Sequence, residues 1–234
     1  MNILVTGATR GIGKAIADEV KEGNNVFTSG RNEDLLKCYE NYCVADLATI
    51  EGMIKLGEYI QENKIDVLIN NAGEYLYIPA IEGFDIEKLE HITRLNFEAP
   101  LYLISKAVPY MKEYGFGRII NIGSISGVMG EACASAYSAT KSALIGMTKA
   151  LALELASDNI TVNTINPGWV DTELGEDSIN SSDFSKYEII ECVPQKRFVE
   201  PYEIAEMVKY LISEQAKGVT GQSINICAGL SVGY

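Results

Sequence analysis

The sequence predicts an α/β fold, with one parallel sheet of about seven strands, doubly wound, and helices on both faces. Three observations predict it. Short apolar runs, such as Ile3-Leu4-Val5 and Ile65 to Ile69, alternate with longer amphipathic stretches. The apolar runs do not alternate with polar residues, which is the pattern of strands covered on both sides. A glycine-rich turn joins the first apolar run to the first helical pattern.

The elements follow in order. Residues 3–5 read as the first strand, and 11–22 as a helix with Ile12, Ile16, Ala17 and Val20 on one face. Val26-Phe27-Thr28 is a second strand, 32–38 a short helix, and Tyr42-Cys43-Val44 a third strand. Residues 49–62 are helical, with Ile50, Ile54 and Ile60 roughly in phase, and 65–69 is the fourth strand. Residues 85–113 hold two helical segments that meet between Asn96 and Pro100. Strands follow at 118–122 and 160–165, flanking the longest helical pattern at 134–156. Residues 172–198 are polar and read as irregular. Pro201 suits the first turn of a further helix, and 223–226 closes the sheet. Right-handed crossovers make this a Rossmann-type fold. No linker or repeat divides the chain, so it reads as one domain, 1–234, with 173–198 as a substrate loop carrying Phe184, Tyr187, Ile189 and Ile190. The 134–156 helix is apolar on more than one side, through Ala139, Ala143, Leu144, Met147, Ala150, Leu151 and Leu155. One side covers the sheet. The other meets a second subunit or lies deep in the same domain.

Composition narrows the partners. A formal net charge of −13 disfavours nucleic acid and anionic membrane. No apolar run reaches the ~20 residues of a membrane span, and Met1 leads straight into a strand with no signal peptide. Five cysteines without C-x-x-C spacing and one histidine, His91, give no metal site. A soluble cytoplasmic protein with reduced thiols is expected.

Thr6-Gly7-Ala8-Thr9-Arg10-Gly11-Ile12-Gly13 follows the first strand and opens the first helix, the context in which such glycines serve a dinucleotide. The helix start offers unpaired N–H groups to a pyrophosphate. The second strand ends Thr28-Ser29-Gly30-Arg31, without the carboxylate that holds a free ribose 2′-hydroxyl. Arg31 and Arg10 suit a 2′-phosphate instead, so NADP(H) is expected over NAD(H). Asp46 either meets the adenine amino group or caps the 49–62 helix. Asn70 and Asn71 close a turn or brace the strands beneath the cofactor.

Tyr137 and Lys141 stand four apart on a helical stretch and so share a face. An ammonium beside a phenol favours the phenolate, and a drop of about three pKa units would bring it near working pH. The same spacing also arises as a plain surface pair. Ser124, in Gly123-Ser124-Ile125-Ser126-Gly127 after the fifth strand, could orient a carbonyl oxygen, with Ser126 as a substitute. No histidine is placed to activate it, which excludes a serine hydrolase. Asn96 either bends its helix and holds a water or marks a helix boundary before Pro100.

Together these residues resemble the classical short-chain dehydrogenase/reductase family over essentially the whole chain: Thr6-Gly7…Gly11-Ile12-Gly13, Asn70-Asn71-Ala72-Gly73, Asn96, Ser124, Tyr137…Lys141, Asn166-Pro167-Gly168 and Thr172. The resemblance implies a tetrad in which Tyr137 is the acid/base and Ser124 orients the carbonyl. Lys141 would bind the nicotinamide ribose and depress the tyrosine pKa, and Asn96 would hold a relay water. It implies an NADP(H) site made of Gly7, Thr9, Arg10, Gly11, Ile12, Gly13 and Arg31, then Asp46, Leu47, Asn70, Ala72 and Gly73. Tyr137, Lys141, Pro167, Gly168, Val170 and Thr172 complete it, Thr172 closing over the pyrophosphate or carboxamide. It also implies a homotetramer, or a dimer. Cys227-Ala228-Gly229 stands where the family has an acidic residue before Gly-Gly, and the segment from Arg31 to Tyr42 is short.

Pro194-Gln195-Lys196-Arg197-Phe198 with Glu200-Pro201 is similar to the 3-oxoacyl-(acyl carrier protein) reductase branch. Glu113 and Glu131, expected at the active-site mouth, and Leu153-Glu154, on the active-site helix, disfavour an acidic carrier. A small ketone, a sugar or a steroid therefore stays open as the substrate. A non-catalytic NADP(H)-binding sensor is the alternative of another class, and an epimerase or dehydratase would need a larger C-terminal domain.

Overall fold

A computed structural model describes residues 1–78, 83–181 and 185–232. Seven strands form one wholly parallel sheet in the order β3-β2-β1-β4-β5-β6-β7. They are β1 (Asn2–Thr6), β2 (Asn25–Gly30), β3 (Asn41–Val44), β4 (Val67–Asn70), β5 (Gly117–Ile122), β6 (Ile160–Pro167) and β7 (Ser223–Ile226). Helices α1 (Gly11–Glu19) and α10 (Pro201–Ile212) cover one face, packing Ile3, Val5, Val67, Ile69, Ile120 and Ile122 against Ile16, Ile204 and Val208. Helices α3 (Ile50–Glu62), α5 (Ala99–Tyr114) and α7 (Ser135–Leu155) cover the other, over Leu4, Leu68, Ile119 and Val162. Alternate strand residues feed the two cores, which is why the strands read as continuous apolar runs.

The chain order reverses between β1 and β4, so the carboxyl ends of those strands open a crevice where ligands settle in such sheets. Connecting helices α2 (Glu33–Leu36), α4 (Ile86–Thr93) and α6 (Ser126–Met129) are short. A π-turn, Arg94–Glu98, joins α4 to α5, and the amide of Ala99 bonds Arg94 O.

Two expectations change. Helix α3 buries Met53, Leu56, Gly57 and Ile60, an i, i+3, i+4, i+7 set, while Ile50 and Ile54 face outward. The segment expected to be irregular is largely helical: α8 (Glu173–Ser181) and α9 (Lys186–Cys192) occupy it. Ser185 and Glu188 form a reciprocal capping box at the start of α9. Ile179, Ile189 and Phe198 cluster, and Trp169 stacks on Phe198, which supplies the apolar contact that holds short polar helices. Phe184 lies outside the described residues. No described helix is long and apolar enough to cross a membrane.

Candidate active site

A cleft of about 830 Å³ runs along the carboxyl ends of the strands. One end is built from the first glycine turn. Gly7 and Gly11 hold positive φ angles of +66° and +53°, which glycine adopts without strain. A Cβ on Gly13 would lie 2.2 Å from Gly7 O, so only glycine lets α1 seat this close to β1. Asn71 locks the turn from the neighbouring strand end: its Nδ2 donates to Thr6 O and Gly7 O at 2.9 and 3.2 Å. Thr6 Oγ1 in turn accepts from the amides of Asn71 and Ala72. Helix α1 starts without a side-chain cap, so its first N–H groups face the cleft unclaimed by side chains.

Both predicted arginines line this end, and each meets a carboxylate. Arg10 pairs with Glu173, and Arg31 Nη1 lies 2.9 Å from Glu74 Oε1. Glu74 Oε2 also bonds His91 Nε2 at 2.9 Å. Asp46 lines the wall and accepts from the amide of Ala48, while Thr49 is the residue that caps α3. Thr9, Ile12, Leu47, Ala72, Gly73, Pro167, Gly168, Val170 and Thr172 line the same cleft.

Asn70 does not line the cleft; it is buried and donates to Asn121 Oδ1 at 2.9 Å. Asn121 donates to Thr148 Oγ1 at 2.9 Å, and Thr148 shares a 2.7 Å hydrogen bond with Thr164. This buried ladder ties β4 and β5 to α7 and β6, and fixes where α7 carries its side chains.

At the other end, α7 presents Tyr137 and Lys141, both nearly buried. Lys141 Nζ lies 5.8 Å from the centre of the Tyr137 ring and donates to Ile122 O at 2.9 Å. Burial holds its pKa down to about 8. Burial also pushes the Tyr137 phenol up to about 12, with a smaller push from Glu131; the Ser124 hydroxyl pulls the other way. The expectation of a depressed tyrosine pKa therefore does not hold for the protein alone, because loss of water around the phenol outweighs its neighbours. Ser124 Oγ donates to Ser126 Oγ at 3.1 Å.

Asn96, inside the π-turn, is buried and does not line the cleft. Its Nδ2 donates to Glu74 O and Thr140 Oγ1, and its Oδ1 accepts from the Glu74 amide. Both amide hydrogens of its side chain are thus held by protein. A Cβ on Gly73 would lie 3.0 Å from Asn96 Oδ1 and 3.3 Å from Lys141 Nζ, so glycine there lets three segments meet. Sequence reasoning missed Glu74, Tyr75, Asn121, Thr140 and Thr148. None carries a motif of its own, and only the fold brings them in. Glu131 lines the cleft, as expected; Glu113 does not, and neither does Glu154, which lies on α7 as expected. Glu113 and Glu154 end α5 and α7, which run back toward the amino ends of the strands.

The short chain dehydrogenase family profile matches residues 1–182. The chain belongs to the short-chain dehydrogenase family. Among curated relatives of this family, the uncharacterized oxidoreductase YxjF of Bacillus subtilis is 38% identical over 97% of this chain and 96% of that protein. A 3-oxoacyl-[acyl-carrier-protein] reductase of Rickettsia bellii is 37% identical over 97% of this chain and 95% of its own. Among solved structures, a variant of actinorhodin polyketide ketoreductase with NADPH superposes with a TM-score of 0.91 at 36% identity, covering 99% of this chain and 97% of that one. The NADPH-dependent reductase YwfH, involved in bacilysin biosynthesis, gives 0.92 at 27% identity, covering 100% and 99%.

Proposed function

We propose that this short-chain dehydrogenase is an NADP(H)-dependent oxidoreductase that interconverts a ketone and a secondary alcohol, with Tyr137 as the acid/base. The observation that carries the reading is one cleft with a glycine turn and two arginines at one end and the buried Tyr137–Lys141 pair with Ser124 at the other. The residues fit a 2′-phosphorylated dinucleotide. The turn leaves backbone bare, α1 offers uncapped N–H groups, and Ser29-Gly30-Arg31 lines the wall beside Arg10 with no carboxylate at the β2 tip. The NADPH-bound ketoreductase at 36% identity supports the same choice.

Bound there, the dinucleotide supplies or accepts the hydride. The chain's own residues handle the proton. A phenol held protonated by burial is suited to donate its proton to a carbonyl oxygen. Turned from Ser126 to the substrate, the single Ser124 hydroxyl hydrogen is donated to the same oxygen and fixes its direction. Lys141 stays charged at neutral pH and stabilises the phenolate that forms after donation. Asn96 is a positioning residue that pins Glu74 and, through Thr140, the start of α7. The chain works as one domain, with α8 and α9 over the substrate end. Exposed Leu153 and Leu101, on α7 and α5, support assembly into a homotetramer or dimer.

The test is oxidation of NADPH and NADH, followed optically, against an acetoacetyl thioester, a diketone, a sugar and a steroid ketone. Turnover preferring NADPH and falling about 10²–10⁴-fold in Tyr137→Phe is the expected result. Tight NADPH binding with no turnover on any carbonyl points to the sensor instead.

A further inference from the structure

Five carboxylates line the cleft, and each has a partner within the protein. Glu74 pairs with Arg31 and His91, and Glu173 with Arg10. Glu188 caps its own helix through Ser185, and Asp46 closes a turn onto the Ala48 amide. Glu131 differs. Its Oε1 accepts from the Tyr75 hydroxyl at 2.7 Å and its Oε2 from Ser126 Oγ at 2.5 Å. Among the described residues it has no cationic partner. Each carboxylate oxygen keeps a further lone-pair direction beyond the hydroxyl it accepts from.

Those two hydroxyls fix where the carboxylate points. Ser126 is bonded to Ser124, and the Tyr75 ring packs edge-on against Tyr137 with centroids 5.0 Å apart. Glu131 is therefore one side chain away from each of the two groups assigned to the reacting oxygen. It is close enough to add to the upward push on the Tyr137 phenol. The bridge holds the carboxylate still and leaves its charge uncompensated. A rigid, uncompensated carboxylate is a ready partner for a hydrogen-bond donor and a barrier to a second anion.

Building on the proposed oxidoreductase reading, we infer that Glu131, held by Tyr75 and Ser126, is the specificity residue of the substrate end. It selects carbonyl compounds that carry a hydroxyl or an ammonium group a few bonds from the carbonyl, and rejects carboxylates. The donor on the substrate completes the carboxylate's hydrogen bonds, and a cation also neutralises it. A substrate carboxylate or phosphate at the same place would face it unshielded.

A matched series of ketones tests this: cyclohexanones bearing a methyl, a hydroxyl or a carboxylate opposite the carbonyl, and protonated N-methylpiperidone. Dissociation constants are measured by calorimetry with NADP⁺ present, for the wild type and Glu131→Gln, alongside rates of NADPH oxidation. Glutamine keeps the shape: its carbonyl oxygen accepts from one of the two hydroxyls, and its amide nitrogen donates to the other. The cation and the hydroxyketone should bind more tightly than the methyl compound, and the carboxylate most weakly. The cation-to-carboxylate affinity ratio should fall at least about tenfold in Glu131→Gln, as expected for a partly desolvated charge contact. An unchanged ratio, or tightest binding of the carboxylate, overturns the inference. If the series binds in the expected order but is never reduced, the selectivity stands and the oxidoreductase reading falls. If all four are reduced without regard to charge, the reverse holds.

Discussion

The two ends of the cleft handle charge in opposite ways. At the glycine-turn end, Arg10 and Arg31 are more than half exposed and rest against Glu173 and Glu74. Exposed pairs like these are worth little, because water screens them. They can be exchanged for a phosphate at small cost. At the reaction end, Lys141 and Tyr137 are nearly buried, and burial moves both pKa values in the direction of the neutral form. One end keeps its charges cheap and exchangeable. The other keeps them expensive and fixed, which is what a proton-transfer site needs.

Removing the expensive charge tests the contrast most severely. Lys141→Met should lower kcat about 10²–10⁴-fold and yet stabilise the fold at pH 7 by about 1–3 kcal/mol, since a buried ammonium is removed. The sign follows from its pKa. Lys141 falls from 10.5 to about 8 on folding, so the unfolded chain binds more protons between those values. The penalty is complete below pH 8 and fades as pH rises toward 10.5. Thermal melts should show wild-type stability gaining on the mutant from pH 8 to 10. A gap that does not change with pH would mean that folding leaves the Lys141 pKa unshifted. Arg31→Ala addresses the other end. It should raise KM for NADPH about 10–150-fold, the loss of a charge-assisted contact worth roughly 1.5–3 kcal/mol. KM for NADH should move less than about threefold, as no 2′-phosphate is lost. Equal effects on both cofactors would refute the 2′-phosphate assignment. The smallest effect belongs to Glu74→Gln, which keeps the backbone bonds to Asn96 but frees Arg31. KM for NADPH should fall about two- to threefold at low ionic strength, with the difference shrinking as salt is added.

The contrast also explains what could be read from the residues alone. The sheet was legible because seven apolar runs need no partner to be recognised as covered on both faces. The glycine turn was legible because Gly7, Gly11 and Gly13 answer to backbone geometry within a single stretch of chain. The charge environment was not. Whether Tyr137 is raised or lowered depends on how much water the rest of the fold removes, and burial has no signature in a Tyr-x-x-x-Lys spacing. Glu74 was hidden for a related reason, since its meaning lies in Arg31, distant in sequence; Glu131 was legible as a residue of the mouth, but its bond to Tyr75 was not. In α3 the helix was evident but its inner face was not, because Ile50 and Ile54 compete with Met53, Leu56 and Ile60 for the apolar stripe.

The π-turn at Arg94–Glu98 has a consequence for the lineage of this chain. A π-turn is an α-helix carrying one residue too many, and helices seldom tolerate the surplus without some return. Here the surplus residue sets the phase between α4 and α5. Deleting one position from the run would let the two helices merge and rotate everything on one side by about 100° relative to the other. Asn96 would then no longer face both Glu74 and Thr140, and the wall beside Gly73 would lose its brace. Substitutions can accumulate along this helix with modest effect. A change in length can not, so alignment gaps among descendants of this chain should avoid the run from 94 to 98.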